Sequence, residues 1–272
     1  MQVVDLTDEH FQFVTRCTHE YQPSDEGDRV IAVRQSWLER MMARGPKVKI
    51  AVDGGDPVGF IHCLPLELGV QGMSGADLMA IPCLSLEYRS VYRRKTGSGY
   101  GRALVEAAES EAQIYSKGIA VVAHDNDFWF MPAAFFQRLG YREVARRADT
   151  VVMLKSFETV EPPVMHRFSY RPRPIPGKVT VDVFWHPMCG TSIVEMLRLR
   201  EVCAEFGDGV VLNEYDCGDK DTLERYQTER AIFIDGRRVD WGHEAPRDGL
   251  RQEIGRAAEA VTTQDPDSRE GA

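Results

Sequence analysis

The stretch VYRRKTGSGYGRALVEAAESEA, Val91 to Ala112, sets three glycines behind three cations and then runs into a helical pattern. Gly97, Gly99 and Gly101 can adopt backbone angles that cost any residue with a Cβ, and they let a backbone approach a ligand closely. From Arg102 onward, Ala103, Leu104, Ala107, Ala108 and Ala112 recur at helical spacing, with Glu106, Glu109 and Glu111 on the wet side. The free N–H groups and positive dipole end of such a helix suit an anion such as phosphate. An ordinary loop-to-helix turn can be equally rich in glycine, so the spacing alone leaves both readings open. A second reactive group is Cys189, in VDVFWHPMCGTSIVEML, between a strand pattern and a helix pattern. A thiol at a helix N-terminus has its thiolate stabilised by the dipole, which supports redox or metal chemistry.

The elements that must position these groups follow from periodicity. A strand is expected at Val3–Leu6, then a helix from about Asp8 that Thr7 caps, and a second helix through RVIAVRQSWLERMMARG. VKIAVD and PVGFIHCLPL read as a hairpin around Asp53-Gly54-Gly55-Asp56. AIPCLSLEYRSVY is a strand that delivers the chain into the glycine turn and a helix over 101–116. GIAVVAHD is the next strand, PAAFFQRLG a short helix, and YREVARRADTVVMLKSF a final strand or pair. This order predicts an α/β or α+β sheet of about seven strands. ETVEPPVMHRFSYRPRPIPGK then holds five of the 14 prolines without periodicity, and reads as an extended linker wrapping on the first domain. From Val179 a new β-α-β-α-β-β-α pattern begins. The expected domains are therefore 1–157, a linker at 158–178, a smaller domain at 179–261 and a disordered tail at 262–272.

Composition narrows the partners. The chain has 272 residues, 43% hydrophobic and 28% charged, with a net charge of −9. That charge argues against nucleic acid as the main partner. No apolar run is long enough to cross a bilayer, and MQVVDLTDEHFQF has neither the basic start nor the apolar run of a signal peptide. A cytoplasmic location is expected, and with it six cysteines mostly present as thiols. They show no CxxC pair and no zinc-like spacing, so no metal is expected.

The strand ending SVY, the basic glycine loop, GRALVEAAE and the later FFQRLGYREV together resemble the GNAT superfamily of N-acyltransferases, over roughly residues 1–157. The resemblance implies a mixed sheet flanked by helices, and acetyl-CoA as co-substrate with its pyrophosphate on the loop amides. It places Gly99 and Gly101 on the two signature glycines, and Thr96 where Arg or Gln is usual. It implies cofactor contacts at Val91, Arg94, Gly97, Ser98, Gly99, Tyr100, Gly101 and Arg102. In this family an amine attacks the thioester directly, which requires a base and often an acid. Glu87 is the candidate base, directly or through water, against the plain alternative of a solvent-facing carboxylate. His62 and His124 are further candidates. Phe136 stands where many relatives have the acid tyrosine, so Tyr88, Tyr92 or Tyr100 would supply the proton, or the thiolate leaves unaided. Asn126 is out of register with the family's asparagine.

The second pattern resembles a thioredoxin or glutaredoxin fold, with Cys189-Gly190-Thr191-Ser192 similar to the loop of monothiol glutaredoxins. Arg230 stands where such folds place a cis-proline. Cys217 is expected at the same end of the sheet as Cys189, the two forming a disulfide or soft-metal site or standing as independent buried thiols. Cys17, Cys63, Cys83 and Cys203 are expected in cores. The pairing of the two domains resembles the YoaP-like acetyltransferases. The expected function is acetyl transfer from acetyl-CoA to an amine of a small molecule or peptide, by a monomer or homodimer, with the second domain as accessory. The alternative is a thiol-redox or thiol/metal-binding protein acting through Cys189, with a first domain that senses acyl-CoA. Acceptor choice would lie in the loops 17–29 and 66–80. The acidic EYQPSDEGD in the first of these is suited to a cationic amine or is simply a solvated loop.

Overall fold

Short apolar runs broken by glycine and aspartate turns give an α/β chain. A computed structural model describes residues 1–17, 24–45, 47–69, 72–86, 99–126 and 131–264. In chain order its elements begin with β1 (Gln2–Asp5), α1 (Asp8–Arg16), α2 (Asp25–Met42), β2 (Lys47–Asp53), β3 (Asp56–Pro65) and β4 (Met73–Ser74). There follow β5 (Leu78–Leu86), α3 (Tyr100–Tyr115), β6 (Gly118–His124), α4 (Ala133–Arg138), β7 (Arg142–Arg147), β8 (Thr150–Ser156) and β9 (Val164–Met165). The remainder comprises β10 (Val179–Trp185), α5 (Gly190–Glu205), β11 (Val210–Asp216), α6 (Lys220–Tyr226), β12 (Ala231–Ile234), β13 (Arg237–Val239) and α7 (Arg247–Gln264). Among the described residues no helix is long and apolar enough to cross a membrane. The chain divides into two compact units, Met1–Pro23 with Gln35–Arg167, and Ser24–Arg34 with Phe168–Ala272.

The first unit holds a seven-stranded sheet in the order β1-β2-β3-β5-β6-β8-β7. The β5–β6 pair is parallel and every other neighbouring pair is antiparallel. One face carries α3, whose Leu104, Val105, Ala108 and Ala112 pack with Ile61, Cys63, Met79, Ile81, Val121 and Ala123. The alternate residues Phe60 and His62 face the other way, where they meet Phe13 of α1 and Trp37 of α2. This inward and outward alternation is the period of two expected of a pleated strand.

Strand β5 breaks that alternation. Leu64 pairs with Ala80 and His62 with Cys83, so two steps on β3 oppose three on β5. The extra residue is a β-bulge at Ile81–Pro82, and a proline there has no N–H to give to a ladder. Met79 and Ile81 face α3 before the bulge, and Leu84 and Leu86 do so after it. Cys83 and Ser85, opposite His62 and Phe60 in register, therefore lie on the far face.

The second unit has a four-stranded sheet in the order β11-β10-β12-β13, with β10 and β11 parallel and the other pairs antiparallel. The proline-rich stretch differs from the expected linker. Met165 and Val164 pair with β4 in the first unit, but from Phe168 the chain belongs to the second. Phe168 stacks on Phe233 at 5.4 Å, and Tyr170 meets Phe184 at 4.8 Å, edge-on. The helix α2 also starts earlier than its apolar pattern implied. The Ser24 hydroxyl accepts from the Gly27 N–H at 3.1 Å, and Asp25, Glu26 and Asp28 complement the dipole in its first turn. Glu26 is engaged by Arg198 at 2.9 Å and Arg247 at 2.5 Å, both in the second unit. That part of the acidic stretch is a helix start in which Glu26 is already paired.

Candidate active site

The bulge opens the sheet of the first unit. β5 and β6 pair only over Leu78–Ile81 and Gly118–Val121. Beyond that point β5 continues against β3 as far as Leu86, and β6 continues against β8 as far as His124. The two strands part, leaving two banks that face each other without a shared ladder. On the α3 side the β5 bank carries Leu84 and Leu86, and on the far side Cys83 and Ser85. The β6 bank has Ala123 toward α3 and Val122 and His124 on the far side.

The N-terminus of α3 lies at the mouth of this split. Gly99 is its N-cap, in the left-handed region with φ 82°, a conformation that favours glycine. Among the described residues no side chain caps the helix, and its first turn holds no acidic residue. By contrast α1 of this unit begins with the carboxylates Asp8 and Glu9. The positive dipole end of α3 is therefore not offset by an acid of its own first turn, which suits an anion. Gly101 is small for a different reason. A Cβ there would stand 3.4 Å from the ring of Phe135 and 3.9 Å from Leu86, so the helix start is packed directly against the α3-side lining of the split.

The candidates from the sequence fall as follows. Glu87, Tyr88, Val91, Arg94, Gly97 and Ser98 lie outside the described residues, as do Tyr92 and Thr96. Tyr100 turns its ring into the core, and its hydroxyl donates to Asp53 at 2.5 Å, so what it offers a ligand is its backbone N–H. The same bond removes it as a source of protons for a leaving group. Arg102 is exposed and pairs with Glu106 one turn on. His62 is buried between Trp37 and Phe60, away from any solvent path. His124 is half-buried on the β6 bank, and burial pulls its pKa below the ordinary 6.5, with Asp149 pulling weakly upward. Phe136 is fully buried against Phe135 and Tyr141. Asn126 donates to the Asp149 carboxylate. The split itself was missed, although a proline inside an otherwise central strand pattern is the signal that could have shown it.

In the second unit Cys189 is the N-cap of α5 and is half-buried. Its loop is pinned from several sides. The Cys189 N–H donates to the His186 carbonyl at 3.0 Å, and Arg34 donates to the carbonyl of Met188. The Met188 N–H donates to His186 Nδ1 at 3.1 Å, and the His186 N–H to Ser192 Oγ at 2.9 Å. Arg230 is held by Glu195 through two 2.7 Å bonds, and its guanidinium is near enough to Cys189 to interact electrostatically. Cys217 is instead fully buried beside Leu223 and Phe233, with burial pushing its thiol pKa up. None of the six cysteines is in a disulfide, so of the alternatives open for Cys189 and Cys217 the bridge is absent, and Cys189 is only half-buried. Cys63 and Cys203 are buried as expected, both pushed up to about 12 mainly by burial. Cys17 and Cys83 are only half-buried, which corrects their assignment to cores.

His186 gives this unit a pH dependence. Full burial, followed by the charge of Arg34, lowers its pKa from 6.5 to about 4. The unfolded chain binds a proton below pH 6.5 that the folded unit refuses, so stability falls as pH drops through that window. At about 1.4 kcal/mol per unit the loss is about 3 kcal/mol by pH 4. Urea unfolding between pH 7 and 4 should show this slope in the second unit, and His186→Asn should flatten it.

No family model matches the chain, and no curated protein does. Solved structures with similarity include the ribosomal-protein-alanine N-acetyltransferase from Brucella melitensis, 15% identical over 57% of this chain and 99% of its own, with a TM-score of 0.43. The PaiA N-acetyltransferase from Thermoplasma acidophilum in complex with coenzyme A is 13% identical over 57% and 99%, with a TM-score of 0.41. The aminoglycoside 6'-N-acetyltransferase from Enterococcus faecium is 18% identical over 59% and 99%, with a TM-score of 0.40. Similarity at this level does not carry an activity, which has to come from the site.

Proposed function

We propose that the first unit is a GNAT-type acyltransferase that moves an acetyl group from acetyl-CoA to an amine of a small molecule or peptide. One observation carries this reading: the split between β5 and β6 opens beside the N-terminus of α3, which starts at Gly99 with no acid in its first turn. Acetyl-CoA is an anion at one end and a thioester at the other, joined by an extended arm with two amides. Helix amides from Gly99 to Arg102 suit the pyrophosphate, and the edge of β5 beyond its ladder with β6 suits the arm. Leu84, Leu86 and Phe135 supply an apolar wall. Val91, Arg94, Gly97 and Ser98 complete the loop in this reading, with Glu87 and Tyr88 as the expected base and acid.

The second unit is read as a thioredoxin-like accessory domain, in the YoaP-like arrangement. Its strand order and the position of Cys189 at the start of α5 support this. Arg230 beside that thiol supports the alternative, in which Cys189 is the working group and the first unit only senses acyl-CoA. Calorimetric titration of acetyl-CoA tests the leading reading on wild type, Gly99→Asp and Cys189→Ser. Gly99 has open space around its Cβ position, so aspartate adds charge without displacing Phe135; its positive φ strains the variant, and a thermal melt checks that it still folds. Binding should weaken about tenfold or more in Gly99→Asp, roughly 1.4 kcal/mol, and persist in Cys189→Ser. Wild type that fails to bind acetyl-CoA would sink the proposal and leave Cys189 as the site to pursue.

A further inference from the structure

We infer that His124, rather than Glu87, is the residue that takes the proton from the attacking amine. The inference rests on the acyl-transfer reading of the first unit. His124 stands on the β6 bank after the ladder to β5 has ended, on the same face as Cys83 and Ser85 across the split. Its far edge stays fixed, because His124 still pairs with Thr150 of β8. Its near edge is clamped by a different segment. The His124 N–H donates to the Met131 carbonyl at 3.0 Å, and His124 bridges to Pro132 in parallel fashion. Met131 sits at φ 66°, a strained setting for a side chain of that kind, and such strain collects where a backbone must be held in one place.

His124 is thus half-buried, on the β6 bank of the split, and held by a rigid backbone. The charged and titratable groups around it are few among the described residues. Asp149 comes from the β7–β8 turn, and Asp125 follows His124 in the chain. Asp125 is paired with Arg146 at 2.8 Å, which leaves Asp149 as the carboxylate that acts on the ring. Burial keeps the imidazole neutral at neutral pH, the form that accepts a proton.

The step balances without an added reactant. An alkylammonium gives one proton to a ring nitrogen of His124, and the freed amine attacks the thioester carbonyl. The C–N bond forms, the C–S bond breaks, and the CoA thiolate takes that proton from the imidazolium. The second amine proton leaves through the same ring to solvent. The products are an amide, CoA thiol and one released proton.

The test uses acetyl-CoA with glycinamide, a small primary amine that needs little acceptor pocket, and follows CoA release against pH. Wild type, His124→Gln and Asp149→Asn are compared, with acetyl-CoA affinity measured for each. His124→Gln should lower kcat roughly 10²–10⁴-fold and abolish the acidic limb of the profile, with acetyl-CoA affinity unchanged. Asp149→Asn should move that limb to lower pH, because it removes a charge that favours the imidazolium. The inference is overturned if His124→Gln keeps the limb and a rate within about threefold of wild type. It is equally overturned if the variant loses acetyl-CoA binding, or if wild type binds acetyl-CoA yet releases no CoA above buffer. Wild type that does not bind acetyl-CoA would instead overturn the acyl-transfer reading beneath it.

Discussion

Glu195→Ala should destabilise the second unit by about 3–5 kcal/mol, the range for removing one partner of a buried ion pair. Glu195 is almost fully buried on α5 and accepts two bonds from Arg230 and a third from the Ala245 N–H at 3.0 Å. Its loss leaves a mostly buried guanidinium facing an apolar gap, and orphans a backbone donor. Burial works against the Arg230 charge, and it is Glu195 that outweighs it. Replacing both residues by methionine should cost much less than Glu195→Ala, because no lone charge remains. Chemical denaturation of the three proteins measures this, and a Glu195→Ala loss below about 1 kcal/mol would show that the pair is worth no more than a surface one.

Phe136→Ala should cost the first unit a similar amount, about 3–5 kcal/mol, because a fully buried phenyl ring leaves a cavity among Phe135, Tyr141 and the α3-side core. Phe136→Tyr is the more informative change. If the missing family tyrosine were simply a lost acid, restoring it would speed acetyl transfer. The ring is sealed from solvent, so the added hydroxyl should instead cost about 1–3 kcal/mol as an unpaired buried group and leave the rate unchanged. A tyrosine variant that folds normally and turns over faster would show that this position does reach the thioester.

Much of the fold is legible in the residues. The hairpin at Asp53–Asp56 follows from its two glycines, α3 from its apolar spacing, and seven strands from the count of extended runs. The anion-suited start of α3 was also visible in Gly99 and Gly101. What periodicity could not show was long-range. The apolar pattern of residues 78–86 reads as one strand, and the bulge at Pro82 becomes apparent only from the partners on β3. Glu26 reads as a loop charge until Arg198 and Arg247 arrive from residues far along the chain. Phe168 and Tyr170 sit among prolines, where a local reading sees a spacer. Their burial depends on Phe184 and Phe233, which the local reading does not connect to them.

The bulge at Ile81–Pro82 has a further consequence for how this chain can vary. Before it the odd-numbered residues of β5 face α3, and after it the even-numbered ones do. The strand changes parity once, so its two halves tolerate insertion and deletion differently. One residue added or removed next to Pro82 can be taken up by widening or erasing the bulge. The same change between Cys83 and Leu84 would turn both leucines to the far face and drive the Ser85 hydroxyl against α3. Length is therefore negotiable on one side of the proline and fixed on the other, and the fixed side is the one that borders the split.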